Sequence, residues 1–254
     1  MSLFVETRGV GPDLVLIHGW GLDGAVWGPL AERLAVRRRL WIVDLPGHGR
    51  SPPGAGGFTL EGAARAVAQA VPVGAAWLGW SLGALVAMAA ALAGAAVPGL
   101  VLVGATPRFT RAPDWPHGVE PAVLEAFAAD LAHDPEATLQ RFLALQTRGA
   151  EGARATLRAL RAGSLRRGAP HPQALRGGLE VLRTCDLRTR LAELVVPVTA
   201  IAGERDTLVP VAASAALAAA VPHGRCTVIP GAGHVPFLSH PESFVRALED
   251  SLDG

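Results

Sequence analysis

The sequence predicts an α/β fold: a mostly parallel central sheet flanked by helices, with an inserted helical cap. Three observations predict it. Short runs rich in Val, Ile and Leu alternate with Ala-rich helical patterns, as in sheets built from right-handed crossovers. The alternation stops between residues 111 and 185, where the pattern turns helical with Pro and Gly breaks. A chain of 254 residues is also long enough to enclose a large sheet under helices on both faces.

Strands are expected at 3–7, 14–18, 40–44, 75–78, 100–104, 198–202 and 226–229, and the main helices at 25–34, 59–70, 82–92, 211–220 and 241–252. A glycine-bearing turn follows most of the strands, and the carboxyl ends of strands are where open α/β sheets hold ligands. No charged residue occurs between Arg65 and Arg108, but Pro72, Gly74, Gly79, Gly83, Gly94 and Pro98 cut that stretch into strand- and helix-sized pieces. It reads as the buried centre of a sheet and not as a membrane span. The expected division is 1–110 as the first part of the core, 111–185 as the cap and 186–254 as the second part. The cap's charges are segregated. Asp114, Glu120, Glu125, Asp130, Asp134 and Glu136 come first, then Arg141, Arg148, Arg154, Arg158, Arg161, Arg166 and Arg167 with only Glu151 among them.

A formal net charge of +1 argues against a nucleic-acid or membrane-surface binder. Cys185 and Cys226 have neither CxxC spacing nor a histidine cluster nearby, so no metal site or disulfide framework is expected, and both are read as thiols in a reducing compartment. The N-terminus lacks the basic start and apolar run of a signal peptide. The expectation is a cytoplasmic monomer that uses no cofactor.

Gly79-Trp80-Ser81-Leu82-Gly83 fits G-x-S-x-G, follows an apolar strand and opens an Ala-rich helix. Glycines there let the chain turn sharply enough to lift a serine oxygen above the sheet, and a helix N-terminus favours a developing anion. Ser81 is therefore the candidate nucleophile. It needs a base, and His234, in Gly231-Ala232-Gly233-His234 just after the last strand, is best placed to return over the sheet. His18 is read as shaping the loop after its strand, and His48, His117, His133, His171, His223 and His240 as lying on turns or cap surfaces. The base needs a carboxylate to fix its tautomer. Asp206, after the penultimate strand, is preferred, with Glu204 the rival and Asp186 third; the order Ser, Asp, His suits this architecture. Two backbone donors should face the oxyanion. Leu82 N–H is one by position, and Trp20 N–H, in His18-Gly19-Trp20-Gly21, is the choice for the other.

With these residues in hand, the chain resembles the pimeloyl-acyl-carrier-protein methyl ester carboxylesterases of biotin biosynthesis, in the α/β-hydrolase superfamily. The resemblance runs through residues 16–22 (LIHGWGL), 43–51 (VDLPGHGRS), 77–83 (WLGWSLG), 141–147 (RFLALQT), 177–182 (GGLEVL) and 236–241 (PFLSHP). The first and third blocks occur in weaker form in many hydrolases, whereas the two cap blocks are more particular to this family. The resemblance implies triad roles for Ser81, Asp206 and His234, and substrate contacts for Trp20, Leu82, Phe142, Leu143, Gln146 and His234. It implies an acyl-carrier protein as partner. Arg154, Arg158 and Arg161 recur at helical i, i+4, i+7 spacing, so they form one basic stripe, with Arg141 preceding it, that suits an acidic carrier and a phosphate. Ala84 stands where a second glycine often follows the elbow, and 163–172 is idiosyncratic, which bears on cap shape and substrate length. Two other readings use the same residues differently: a general short-chain carboxylesterase or lactonase, and a noncatalytic binding module on the same fold.

Overall fold

Every predicted apolar run becomes a strand. The computed structural model describes residues 2–164 and 168–253. Its strands are β1 (Val5–Arg8), β2 (Asp13–Ile17), β3 (Arg39–Val43), β4 (Ala76–Trp80), β5 (Leu100–Val103), β6 (Val198–Gly203) and β7 (Gly224–Ile229). They form one sheet in the order β1-β3-β2-β4-β5-β6-β7, parallel throughout except for the antiparallel β1–β3 pair.

Side chains alternate across a strand, so the continuous apolar runs supply two cores at once. Val15, Ile17, Trp77, Leu100, Leu102 and Ala200 face one core, while Leu14, Leu16, Leu78, Trp80, Val101, Val103 and Ile201 face the other. The first is covered by α2 (Leu60–Ala70), α3 (Leu82–Leu92) and α8 (Val211–Ala220). The second is covered by α1 (Gly28–Leu34), the short α9 (Pro236–Ser239) and α10 (Pro241–Leu252). α3 is buried nearly all round, as its Ala-rich, uncharged sequence requires.

Besides shifts of one or two residues at the ends of other elements, two boundaries depart from the sequence reading. The helix expected at 25–34 is split: the Asp23 carboxylate caps a 3-10 turn at Gly24–Trp27, and α1 restarts at Gly28 with Pro29 in its first turn. β4 runs two residues past the expected end, because Gly79 and Trp80 stay in register with Leu102 and Val103. That extension carries the chain to the position of Ser81.

Between β5 and β6 lie α4 (Pro121–His133), α5 (Pro135–Thr147), α6 (Ala153–Ser164) and α7 (Pro172–Thr184). α4, α5 and α7 each begin with proline in the first turn, and Asp134 and His171 cap α5 and α7 with their side chains. α4 packs on α5 and α7, and α5 packs on α6. Arg166 and Arg167 of the predicted arginine run lie outside the described residues.

Candidate active site

Ser81 sits at the tip of β4 with φ 55° and ψ −116°, the one non-glycine residue of positive φ among the described residues. Such strain persists only where the surroundings enforce it. Here they do. A Cβ at Gly79 would collide with the Gly83 carbonyl, and one at Gly83 with the Ile17 carbonyl. The Ser81 N–H donates to Val103 O at 2.9 Å, which ties the turn to β5.

Asp206 and His234 meet beside the same strand end. The His234 Nδ1–H donates to Asp206 Oδ2 at 2.7 Å, and both side chains are buried. Asp206 Oδ1 accepts from the N–H groups of Leu208 and Val209, each at 2.9 Å, so the carboxylate is fixed by its own loop. Gly104 follows Val103 with φ 50°, and a Cβ there would stand 2.9 Å from His234 Nδ1 and 3.4 Å from Asp206 Oδ2. Only glycine leaves room for the pair. His234 Nε2 is buried and without a hydrogen-bond partner among the described residues, and is thus available to a hydroxyl. The rival carboxylates are engaged elsewhere. Glu204 accepts from the Gly231 N–H at 2.8 Å, and Asp186 is bound by Arg188 and Arg108, whose hydrogen bonds hold it down to about 2.

The loop after β2 is held by histidine. His18 Nδ1–H donates to Gly19 O at 2.8 Å, while its Nε2 accepts from Leu45 N–H at 2.9 Å, which requires the neutral ring. Because Gly19 C=O and Trp20 N–H share one planar peptide, this bond also fixes the direction of the Trp20 N–H. Leu82 N–H is the first donor of α3 and belongs to the set that a helix leaves unpaired within itself. The Trp20 indole donates to Leu175 O at 2.8 Å, and its ring meets Phe142 edge-on with centroids 4.8 Å apart. His48 lies on a turn, as the sequence reading has it. Its ring is wholly buried, 5.3 Å from the His18 ring and 5.9 Å from that of Phe58. Among the described residues, no group of three or more His, Cys, Asp or Glu could hold a metal ion.

A family model described as the alpha/beta hydrolase fold matches residues 12–241. A pimeloyl-[acyl-carrier protein] methyl ester esterase from Stenotrophomonas maltophilia (strain R551-3) is 48% identical over 99% of this chain and 97% of its own. The chain belongs to the alpha/beta hydrolase fold family. A second esterase of that name, from Xanthomonas campestris pv. campestris (strain B100), is 47% identical over 97% of each chain. Among solved structures, an esterase from Rhodococcus sp. ECU1013 superposes on this hydrolase with a TM-score of 0.81 at 28% identity, covering 100% and 99% of the two chains. An esterase from Exiguobacterium antarcticum reaches a TM-score of 0.88 at 24% identity, covering 99% and 96%, a likeness of fold.

In this alpha/beta hydrolase the helices between β5 and β6 lie against the site. Phe142 joins Trp20 to Phe127, whose ring is 5.7 Å away. Gln146 is buried, its Oε1 without a partner among the described residues, and its backbone carbonyl accepts from the His234 N–H at 3.3 Å. Leu143, between them, is buried in the core cluster of Trp80 and Val235. Beyond Phe127 opens a groove of about 550 Å³, lined by Val123, Phe127, Ala144, Leu145 and Leu157 with Arg141, Arg148 and Arg154 at its rim. Arg154, Arg158 and Arg161 are exposed on α6, and Arg141 is bound to Asp130 at 2.8 Å.

Sequence reasoning missed Gly104, Trp80, Gly178 and Leu175. Trp80 Nε1–H donates to His234 O at 2.8 Å. A Cβ at Gly178 would stand 2.7 Å from the Trp20 ring, so α7 lies directly on the loop after β2. A glycine directly after the LVLV strand was a readable signal for Gly104. The Leu175 contact, made by a backbone carbonyl, left none.

Proposed function

We infer that this hydrolase is a serine carboxylesterase that cleaves the methyl ester of pimeloyl-acyl-carrier protein to pimeloyl-acyl-carrier protein and methanol, the step the resemblance assigns to biotin biosynthesis. The observation that carries the substrate is the 48% identity, over nearly the full length of both chains, to an esterase of that name. The buried Asp206–His234 pair, with His234 Nε2 uncommitted, supports the chemistry.

In this reading Ser81 Oγ attacks the ester carbonyl and passes its proton to His234 Nε2, while Asp206 stabilises the imidazolium. Trp20 N–H and Leu82 N–H receive the oxyanion. Collapse of the tetrahedral intermediate expels methoxide, which His234 protonates to methanol. Water, deprotonated by His234, then attacks the acyl-enzyme; Ser81 recovers its proton and the free carboxylate leaves.

Residues 111–185 act as a cap on a core made of 1–110 and 186–254. Arg141, Arg154, Arg158 and Arg161 dock an acidic carrier and its phosphate. The acyl chain runs from the apolar groove past Phe127, Phe142 and Trp20, with Leu143 and Gln146 on the same helix. With the carrier held outside, only the distal ester reaches Ser81 and the thioester is spared, so positioning supplies the selectivity. The enzyme works as a cytoplasmic monomer; no described helix is long and apolar enough to cross a membrane.

The test is incubation of the purified enzyme with the methyl ester of pimeloyl-acyl-carrier protein, followed by mass spectrometry of the carrier. Loss of a methyl group from the intact conjugate is expected. Release of the acyl chain from the carrier, or turnover of small free esters alone, would overturn the reading.

A further inference from the structure

The turn between α5 and α6 touches the triad loops at more points than a lid resting on a core requires. Gln146 O accepts the His234 N–H at 3.3 Å, and Gly231 O accepts the Glu151 N–H at 3.0 Å, so two main-chain bonds join the turn to the segment bearing the base. The Glu151 carboxylate then reaches Arg205 at 3.1 Å, next to Asp206. Arg205 N–H in turn donates to Ala232 O at 2.8 Å. The glycines of Gly231-Ala232-Gly233 permit this approach. A Cβ on Gly231 would lie 2.8 Å from the Glu151 carboxyl carbon, and one on Gly233 would lie 2.9 Å from the Ala150 Cβ.

We propose that the turn 146–151 is a positioning element for the Asp206–His234 pair, acting through Ala150 and Glu151. Gly104, at the end of β5, leaves room for the pair, and this turn, between α5 and α6, holds the loop that carries the base. The inference rests on His234 serving as the base, and is independent of which ester is cleaved.

The test pairs a steric lesion with its relief. Gly233→Ala adds a methyl group that meets Ala150, and the double variant Gly233→Ala/Ala150→Gly removes the group it meets. Two readouts are taken: kcat and KM on p-nitrophenyl acetate, and the low-field proton resonance of the His234 Nδ1–H. The single variant is expected to lose about tenfold or more in kcat with KM within about twofold, since a small misplacement of a catalytic group is costly, and to shift or broaden the resonance. The double variant is expected to recover both. If Gly233→Ala does not fold, Ala150→Val strains the same contact from the insertion side and is expected to give the same signature. Wild-type kcat and an unmoved resonance in the folded single variant, or a folded double variant as impaired as the single, would overturn the proposal. The resonance needs no substrate, so a mistaken ester assignment leaves this test standing.

Discussion

The Trp80 indole donates a 2.8 Å hydrogen bond to the backbone carbonyl of His234, linking the residue before Ser81 to one 154 positions later. Trp80 also packs against Phe237 and Trp27, so the bond is anchored in the core. Trp80→Phe keeps an aromatic ring but leaves a buried carbonyl unpaired, which costs about 1–3 kcal/mol. A lower melting temperature and a kcat reduced about tenfold, with KM little changed, are expected from calorimetry and steady-state kinetics. Wild-type kcat would mean that His234 keeps its place without Trp80.

Gly104→Ala is the sharper lesion. Its methyl group would stand 2.9 Å from the His234 ring, on a backbone of φ 50° that alanine adopts only with strain. A folded protein with kcat lower by about a hundredfold or more is expected, measured on any ester the enzyme accepts. Fluorophosphonate labelling of Ser81 should slow in parallel, because it draws on the same base.

The strands and the elbow were legible in the sequence because their signals are local. A run of Val and Leu, or a serine framed by glycines before an alanine helix, encodes its structure within ten residues. Asp206 and Glu204 were harder to separate, since both follow β6 and both are bound to the His234 loop; the choice depends on which oxygen meets the imidazole and which the Gly231 N–H. The contacts through Gln146 O and Leu175 O were out of reach, because every residue type carries a backbone carbonyl. The burial of His48 was out of reach for a related reason. Its turn is legible from Pro46, Gly47 and Gly49, but that Pro46 O takes its Nδ1–H and the ring packs inward on His18 and Phe58 depends on residues brought together by the fold.

Charge reversal on α6 separates carrier recognition from chemistry. Arg154→Glu/Arg158→Glu is expected to raise KM for the carrier-bound methyl ester about tenfold or more, with the loss shrinking as salt is added. The free methyl ester should be hydrolysed as before. Equal losses on both substrates would assign the arginines to the fold and not to the carrier.

His48 makes the fold sensitive to acid. Burial, with His18 beside it, pushes the imidazole from 6.5 down to about 3, against the pull of its bond to Pro46 O. The folded ring stays neutral while the unfolded one takes a proton below about 6.5. Between those values the unfolded state therefore binds more protons, and stability falls as pH drops, by up to about 1.4 kcal/mol per pH unit. Urea unfolding at pH 7 and pH 5 is expected to cost the wild type about 2 kcal/mol more than His48→Gln over the same interval. Parallel losses would remove His48 from the acid response.

Leu100 lies beside Val198 in the sheet although α4, α5, α6 and α7 come between them in the chain. The strands thus meet as though nothing were looped out there, so exchanging those helices would leave the sheet's register intact. A lineage trading them would keep the strand that carries Ser81 but would give up the main-chain bonds that Gln146 and Glu151 make to the His234 segment.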